Sequence, residues 1–408
     1  MTTAPVVLIS SYPPRWCGIA TFTEEAREFI QKTDPDREVL VISHNDGRGE
    51  GVFPLLDMSR ADWWKPVAEK VHALKPYAVH IEHEYGLYEY TDARGIGDGN
   101  KGFLALLSAI CDVPVVVEPH TIHGRLRDTE ADFVYELCRL ADVVLFKCHY
   151  QKWRLEWNFN ARGWTTPRNI MVVPHGARSD RRWSVSEIPR LKQELGLDRY
   201  NLPEHLVGMI GWIQSNKRWD LLLSLWTDLH AEIEKRTGEN WGLLAAGAVR
   251  DPHDKPNYEK WKGELELLEK KGLAHFHELV PRGDDYYKMM AVCDFIVLPS
   301  IDETQSGTLA RIEALNKPYI TTAPMEGLTA QTLESGGGLL FTNKAMLAEQ
   351  VLKLATSETL RMELGNNQRR YLEKVVAWEV VARQYEEAYR LAREANLSGK
   401  PAVLDPEF

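Results

Sequence analysis

Residues 299–318 read PSIDETQSGTLARIEALNKP, and the organisation of the chain follows from them. The apolar run before them, Phe295-Ile-Val-Leu298, has the length and composition of a buried parallel strand. After it come an acid, Glu303, a small-residue loop from Thr304 to Thr308, and an apolar-periodic segment from Leu309 to Leu315. Lys317-Pro318 stops that helix, and Tyr319-Ile-Thr-Thr322 begins another strand. Such a strand–loop–helix–strand unit puts its loop at the carboxyl end of a strand, where open α/β sheets hold ligands. The N–H groups of a helix start at Gly307, Thr308 and Leu309 suit a phosphate. The Glu303 carboxylate accepts hydrogen bonds from hydroxyls beside it. A ligand that is part phosphate and part polyol, such as a nucleotide-sugar, fits that combination.

At 408 residues the chain exceeds one ordinary core and points to two domains. Its composition, 44% hydrophobic and 26% charged, is that of a globular protein, and no apolar run reaches the length of a bilayer span. The start, MTTAPVVLISSYPP, has no basic n-region and leads straight into a strand, so no signal peptide is expected. Five scattered cysteines read as free thiols in a reducing cytoplasm. A net charge of −10 argues against a general nucleic-acid binder, while leaving room for a local anion site.

In the first half, apolar runs at 5–10, 38–43, 78–82, 113–118, 142–146 and 170–173 alternate with helical segments, which is the pattern of a parallel sheet wrapped by helices. Cys17-Gly18-Ile19-Ala20 lies at a helix start after the first strand. A tight turn and a backbone approach to a phosphate or acceptor both stay open there. Polar residues cluster just past the strand ends: Arg15, Glu82, His83, Glu84, His120, His123, Lys147 and His175. His120 is the first choice for a chemical role. Arg15, His83, Glu84, Tyr85, His123 and His175 are the candidates for holding an acceptor. His80, His83, His120 and His123 form two pairs that suggest zinc, but residues three apart in a strand point to opposite faces, and no metal is expected.

The charged stretch from Arg178 to Leu197 reads as a linker. A strand at 206–210 then leads through Gly211-Trp-Ile-Gln-Ser-Asn-Lys217-Arg218 into a helix. Cations at a helix start are disfavoured unless an anion joins them, so Lys217 and Arg218 are candidates for phosphate contact. Residues 353–373 read as one helix, and an amphipathic helix runs from Val376 towards Leu391.

These landmarks together resemble the retaining, nucleotide-sugar-dependent glycosyltransferases of the GT-B fold, of the family-four type, over nearly the whole chain. Tyr12-Pro-Pro with Gly18-Ile19 is similar to that family's first glycine loop, Pro119-His120 to its histidine beside the transferred sugar, and Gly211 to Lys217 to its diphosphate-gripping loop. Asp294 to Ser300 followed by Glu303 is similar to its donor-site strand and the first acid of E-x7-E. The resemblance implies two Rossmann-like α/β domains facing across a cleft. The first is expected over 1–180, with a C-terminal helix over 380–408 packing back on it, and the donor domain over 181–379. Two departures stand out. The family's second glutamate falls on Arg311, with Glu313 two residues too late to share its face. Trp212 stands where the family often has an arginine.

The expected activity is retaining transfer of a hexose from a nucleotide-diphosphate sugar, with GDP-mannose and UDP-glucose the first donors to try, to a hydroxyl acceptor. Catalytic roles fall to His120, Glu303 and Lys217. Donor binding falls to Gly18, Gly211, Lys217, Arg218, Glu303, Gly307, Thr308, Leu309 and Arg311, without a metal or other cofactor. Two rivals stay open: a phosphorylase or epimerase on the same architecture, kept alive by Arg311, and a non-catalytic sugar-binding or assembly subunit.

Overall fold

The computed structural model describes residues 4–301, 306–323 and 326–404. Along the chain run β1 (Val6–Ser10), α1 (Gly18–Thr33), β2 (Val39–His44), β3 (Val52–Leu56), α2 (Trp64–Leu74), β4 (Ala78–His83), α3 (Lys101–Ala109), β5 (Val115–Pro119), α4 (Asp128–Leu140), β6 (Val143–Phe146), α5 (His149–Asn160) and β7 (Ile170–Val172). Then follow α6 (Ile188–Glu194), β8 (His205–Ile210), α7 (Asp220–Thr237), β9 (Trp241–Gly247), α8 (Lys255–Glu269), β10 (Ala274–Glu278), α9 (Gly283–Ala291), β11 (Phe295–Leu298), α10 (Gly307–Ala314), β12 (Tyr319–Thr322), α11 (Glu326–Ser335), β13 (Gly338–Phe341), α12 (Lys344–Thr356), α13 (Glu358–Tyr371) and α14 (Trp378–Ser398). They form two compact units, Met1–Gly176 with Trp378–Phe408, and Ala177–Ala377.

The first unit carries a parallel sheet in the order β3-β2-β1-β4-β5-β6-β7, whose direction of winding reverses between β1 and β4. Its strands are apolar on both faces because helices cover both. On β4, Val79 and Ile81 pack with α2 and α3, against Val67, Phe103 and Leu106. Ala78 faces the other way, into a core made by Phe22, Phe29, Tyr385 and Tyr389. Strand alternation therefore sends His80 and Glu82 with Ala78, and His83 with Val79. Helix α14 supplies much of that second core because Trp378, Val381, Ala382, Tyr385, Ala388, Tyr389 and Ala392 recur at three- and four-residue spacing and are all buried.

The second unit repeats the scheme with the order β10-β9-β8-β11-β12-β13, reversing between β8 and β11. Each unit is thus a Rossmann-like doubly wound layer.

Three sequence expectations change. The strand β3 hides behind its proline, which an edge position tolerates because one side of the strand needs no ladder donor. The single helix expected over 353–373 is interrupted at Ser357, whose hydroxyl caps α13 by accepting from Leu360 N–H at 3.2 Å. The stretch 178–197 is more than a linker: Leu191, Leu195 and Leu197 of α6 and its end join Ile210, Leu244 and Met290 in a buried core.

Candidate functional site

In the second unit the carboxyl ends of β8 and β11 lie side by side where the strand order reverses, the position at which a crevice opens in such sheets. Gly211 follows β8 with φ +154, and a methyl group on it would lie 3.4 Å from Thr308 Oγ1 and 3.6 Å from the Tyr286 hydroxyl. Ile301 N–H donates to Asn216 O at 2.8 Å. The loop 211–217 and the start of α10 are therefore one place. Gly247 on β9 makes room for it, since a side chain there would collide with Gly211 O.

Lys217 closes a short turn, Ser215–Lys217, at this place. Burial, and after it Arg250, draws its ammonium down to about 7. Two cations brought together this way favour an arriving anion. Arg250 escaped the sequence reading because it follows β9 and is brought to the site by the β8–β9 pairing and the bridge of Ile213 with Val249 beyond it.

At α10, Ser306 caps the helix by accepting from Leu309 N–H at 3.4 Å. The amides of Gly307 and Thr308 stand ahead of that cap. Leu309 was expected to offer its amide to a phosphate, and the cap takes it instead. The Thr308 hydroxyl is held by Tyr286 at 2.8 Å. Arg311 is buried, donates to Gly307 O at 2.7 Å, and stands over the rings of Tyr286 and Tyr287 at 5.4 and 5.5 Å. It ties the helix start down from within. Glu313, two residues on and so turned well away around the helix, is fully buried. Among the described residues neither of its carboxylate oxygens has a hydrogen-bond partner. Burial, and then Glu334, pushes it up to about 8.

Arg218 departs from expectation. Its guanidinium meets both carboxylate oxygens of Asp220 at 3.1 Å, so the anion that reconciles this cation with a helix start is in the chain itself. Glu303 lies outside the described residues.

In the first unit the expected acceptor residues do not all come together. Glu84, Tyr85 and His123 come together. Thr121 Oγ1 donates to Glu84 at 2.6 Å, the Tyr85 hydroxyl reaches Glu130 at 3.5 Å, Tyr85 and His123 stack, and His123 pairs with Glu130. That pair raises His123 above its ordinary value. His83 meets this group only through the ring of Tyr85. It is buried, bonded to Asn100 at 3.1 Å, and walled by Tyr85, Tyr88, Phe103 and Phe133. Burial takes it down to about 3. It is an aromatic-core residue because β4 alternation points it at α3. Arg15 pairs with Asp46 at 3.1 Å near the surface. Gly18 begins α1 with open space in front of its Cα.

His120 and His175 both meet the edge of Phe22, at 5.0 and 4.7 Å between ring centres. His175 Nδ1 lies 2.8 Å from Gly176 O. His120 Nε2 lies 2.8 Å from Glu82 Oε2, on an ionic layer of His80, Glu82, Glu118 and Lys147. The ligand atoms of His80, Glu82 and Glu118 lie within 4.8 Å of one another, and the cation held there is the Lys147 ammonium, paired with Glu118. Glu118 went unremarked in sequence, although an acid closing the run Val115-Val-Val117 was its signal.

Residues 199–371 match the family model described as glycosyl transferases group 1. No curated protein matches the chain significantly. Among solved structures, HepE from Anabaena in complex with UDP-glucose is 16% identical, with a TM-score of 0.67, over 94% of this chain and 99% of that one. Sucrose-phosphate synthase from Thermosynechococcus elongatus is 16% identical, TM-score 0.70, over 96% of this chain and 100% of the other. A glycosyltransferase from Rickettsia africae is 14% identical, TM-score 0.65, over 96% and 99%. At these identities the likeness is one of fold, and the fold is GT-B. No helix among the described residues is long and apolar enough to cross a membrane.

Proposed function

We propose, from the premise that this chain is a glycosyltransferase whose second unit is a group 1 domain, that it moves a hexose from a nucleotide-diphosphate sugar to a hydroxyl acceptor with retention at the anomeric carbon. The observation that carries the reading is the meeting of the loop 211–217 with the start of α10 at the sheet's reversal. It gathers Lys217, Arg250, the Thr308 hydroxyl and the amides of Gly307 and Thr308. That is a set of donors for a diphosphate.

In this reading the bond from the anomeric carbon to the diphosphate breaks while those donors take up the growing negative charge. The acceptor oxygen forms its bond on the same face and gives its proton to the departing phosphate. Glu303 holds hydroxyls of the donor sugar, and His120 steadies that sugar as positive charge develops. Glu84, Tyr85 and His123 hold the acceptor. No metal is required, because the cations and the helix start do that work. HepE with UDP-glucose bound supports a nucleotide-sugar as the donor class, and UDP-glucose and GDP-mannose are the donors to test.

The test is transfer by Lys217→Ala and Glu303→Ala, with the anomeric configuration of the product read by NMR. Each variant should lose transfer roughly 100-fold or more while keeping its circular dichroism. Unaltered rates in both, or an inverted product, would remove the reading.

A further inference from the structure

Glu82 and Glu118 are direct partners across β4 and β5, and both are wholly buried. Two such carboxylates repel one another and are costly to ionise away from water, so their neighbours decide how the charge is shared. His80 Nε2 lies 3.1 Å from Glu118 and 3.5 Å from Glu82, and its Nδ1 lies 2.9 Å from the Tyr389 hydroxyl. Lys147, also buried, sets its ammonium on Glu118 and 4.4 Å from the centre of Phe22. Tyr385 and Tyr389 of α14 pack their rings against His80. The remaining oxygen of Glu82 meets His120.

The charges follow. Burial takes His80 down to about 4, so it is neutral near pH 7. Burial also opposes the ionisation of Glu82, but His80, His120 and Lys147 outweigh it and hold this carboxyl below its usual range. Burial draws Lys147 down to about 7, with Glu82 opposing, so below that value its ammonium neutralises Glu118 and the one negative charge left, on Glu82, is directed at His120.

We infer that Glu82 is a positioning residue for glycosyl transfer, holding His120 with its Nε2 proton turned inward and its Nδ1 outward, and that Lys147 keeps Glu82 ionised by satisfying Glu118. A carboxylate behind an imidazole fixes its tautomer and stabilises positive charge at or in front of the ring. The inference rests on the proposed place of His120 beside the transferred sugar, but the state of the imidazole can be read without it.

The experiment uses the full chain labelled with ¹⁵N-histidine, with the His120 signals assigned by their loss in His120→Gln. In the parent protein the nitrogen shifts should report the Nε2–H tautomer. Glu82→Gln should mix the tautomers and lower transfer roughly 100-fold at an unchanged donor KM. Lys147→Met should do the same, because two adjacent carboxylates then share one proton. Lys147→Met with Glu118→Gln removes both charges together and should restore the His120 signature and most of the rate. A merely structural role for these residues would not give that rescue. Unchanged His120 shifts in Glu82→Gln, or a double variant no better than Lys147→Met, would overturn the inference. Should Glu82→Gln not fold, the Lys147→Met and double variants decide alone. If the His120 shifts move as expected while transfer holds its rate, the positioning stands and the role proposed for His120 falls.

Discussion

Tyr286 and Thr308 join their hydroxyls at 2.8 Å, so the side chain at the start of α10 takes its orientation from a buried tyrosine on α9. Gly211 comes within reach of the same two hydroxyls. Tyr286→Phe keeps the ring that Arg311 stands over and removes only the anchor. We expect a nucleoside diphosphate to bind about 5-fold more weakly, the worth of about 1 kcal/mol for one hydrogen bond, with thermal stability nearly unchanged. Titration calorimetry with UDP and GDP reads this directly. Equal affinity in the variant would show that Thr308 takes no part in holding the ligand.

The split between His83 and His123 gives a second prediction. Hydrogen bonding to Glu130, with burial opposing, raises His123, so it keeps its proton somewhat above its ordinary value of 6.5. The pair therefore contributes fully below that value and is lost as pH rises through the raised one. Acceptor KM should rise over that window in the parent protein. His123→Ala should raise it roughly 5-fold and flatten the pH dependence. Donor hydrolysis without acceptor should be unaffected. His83→Phe, which fills the same aromatic pocket, should leave acceptor KM where it was. A His83 variant that behaves like the His123 variant would contradict the division drawn between them.

Glu313 has the opposite sign from most carboxylates. Burial first, and Glu334 second, push it from 4.5 up to about 8. Between those values the folded chain holds a proton that the unfolded chain has released, so stability falls as pH rises. The full slope for one group is about 1.4 kcal/mol per pH unit. Glu313→Gln cannot ionise, and at pH 9 it should be more stable than the parent by on the order of 2–4 kcal/mol, with little difference at pH 5. Urea denaturation at the two pH values measures both. A parent protein equally stable at pH 5 and 9 would mean that Glu313 finds a partner when it ionises.

Most of the architecture could be read from the chain because apolar strand runs end at Gly, Pro or polar residues and alternate with helical spacing. What could not be read depends on neighbours distant in sequence. His120 and Glu82 meet across 38 residues, and only the pairing of β4 with β5 brings them together. The buried role of His83 needs α3 in place, since a strand has two faces and the sequence does not label them. Arg218 is a different case: Asp220 stands two residues on, and a local ion pair was legible there without any tertiary information. Ser357 interrupts a helical period that continues smoothly on both sides, so only the cap geometry shows the break.

The seat of α14 offers a last prediction. Gly176 lies so close to Trp378 that any side chain on it would enter the indole ring. The indole is fully buried, stacks on Phe29 at 6.0 Å, packs on Phe22 at 5.2 Å, and donates to Glu25 at 3.1 Å. Gly176→Ala should therefore cost about 1–3 kcal/mol through overpacking, and Trp378→Ala about 3–5 kcal/mol through the cavity it leaves and the bond it breaks. Phe22 touches the rings of Trp378, His120 and His175 together. The damage should then reach the chemistry, with kcat falling in both variants while nucleoside diphosphate affinity, which the proposed function assigns to the second unit, holds. Denaturant titration and limited proteolysis of α14 measure the first effect, and steady-state kinetics the second. If Gly176→Ala unfolds at the parent's denaturant midpoint, the indole can shift aside, and the helix is not fixed by this contact.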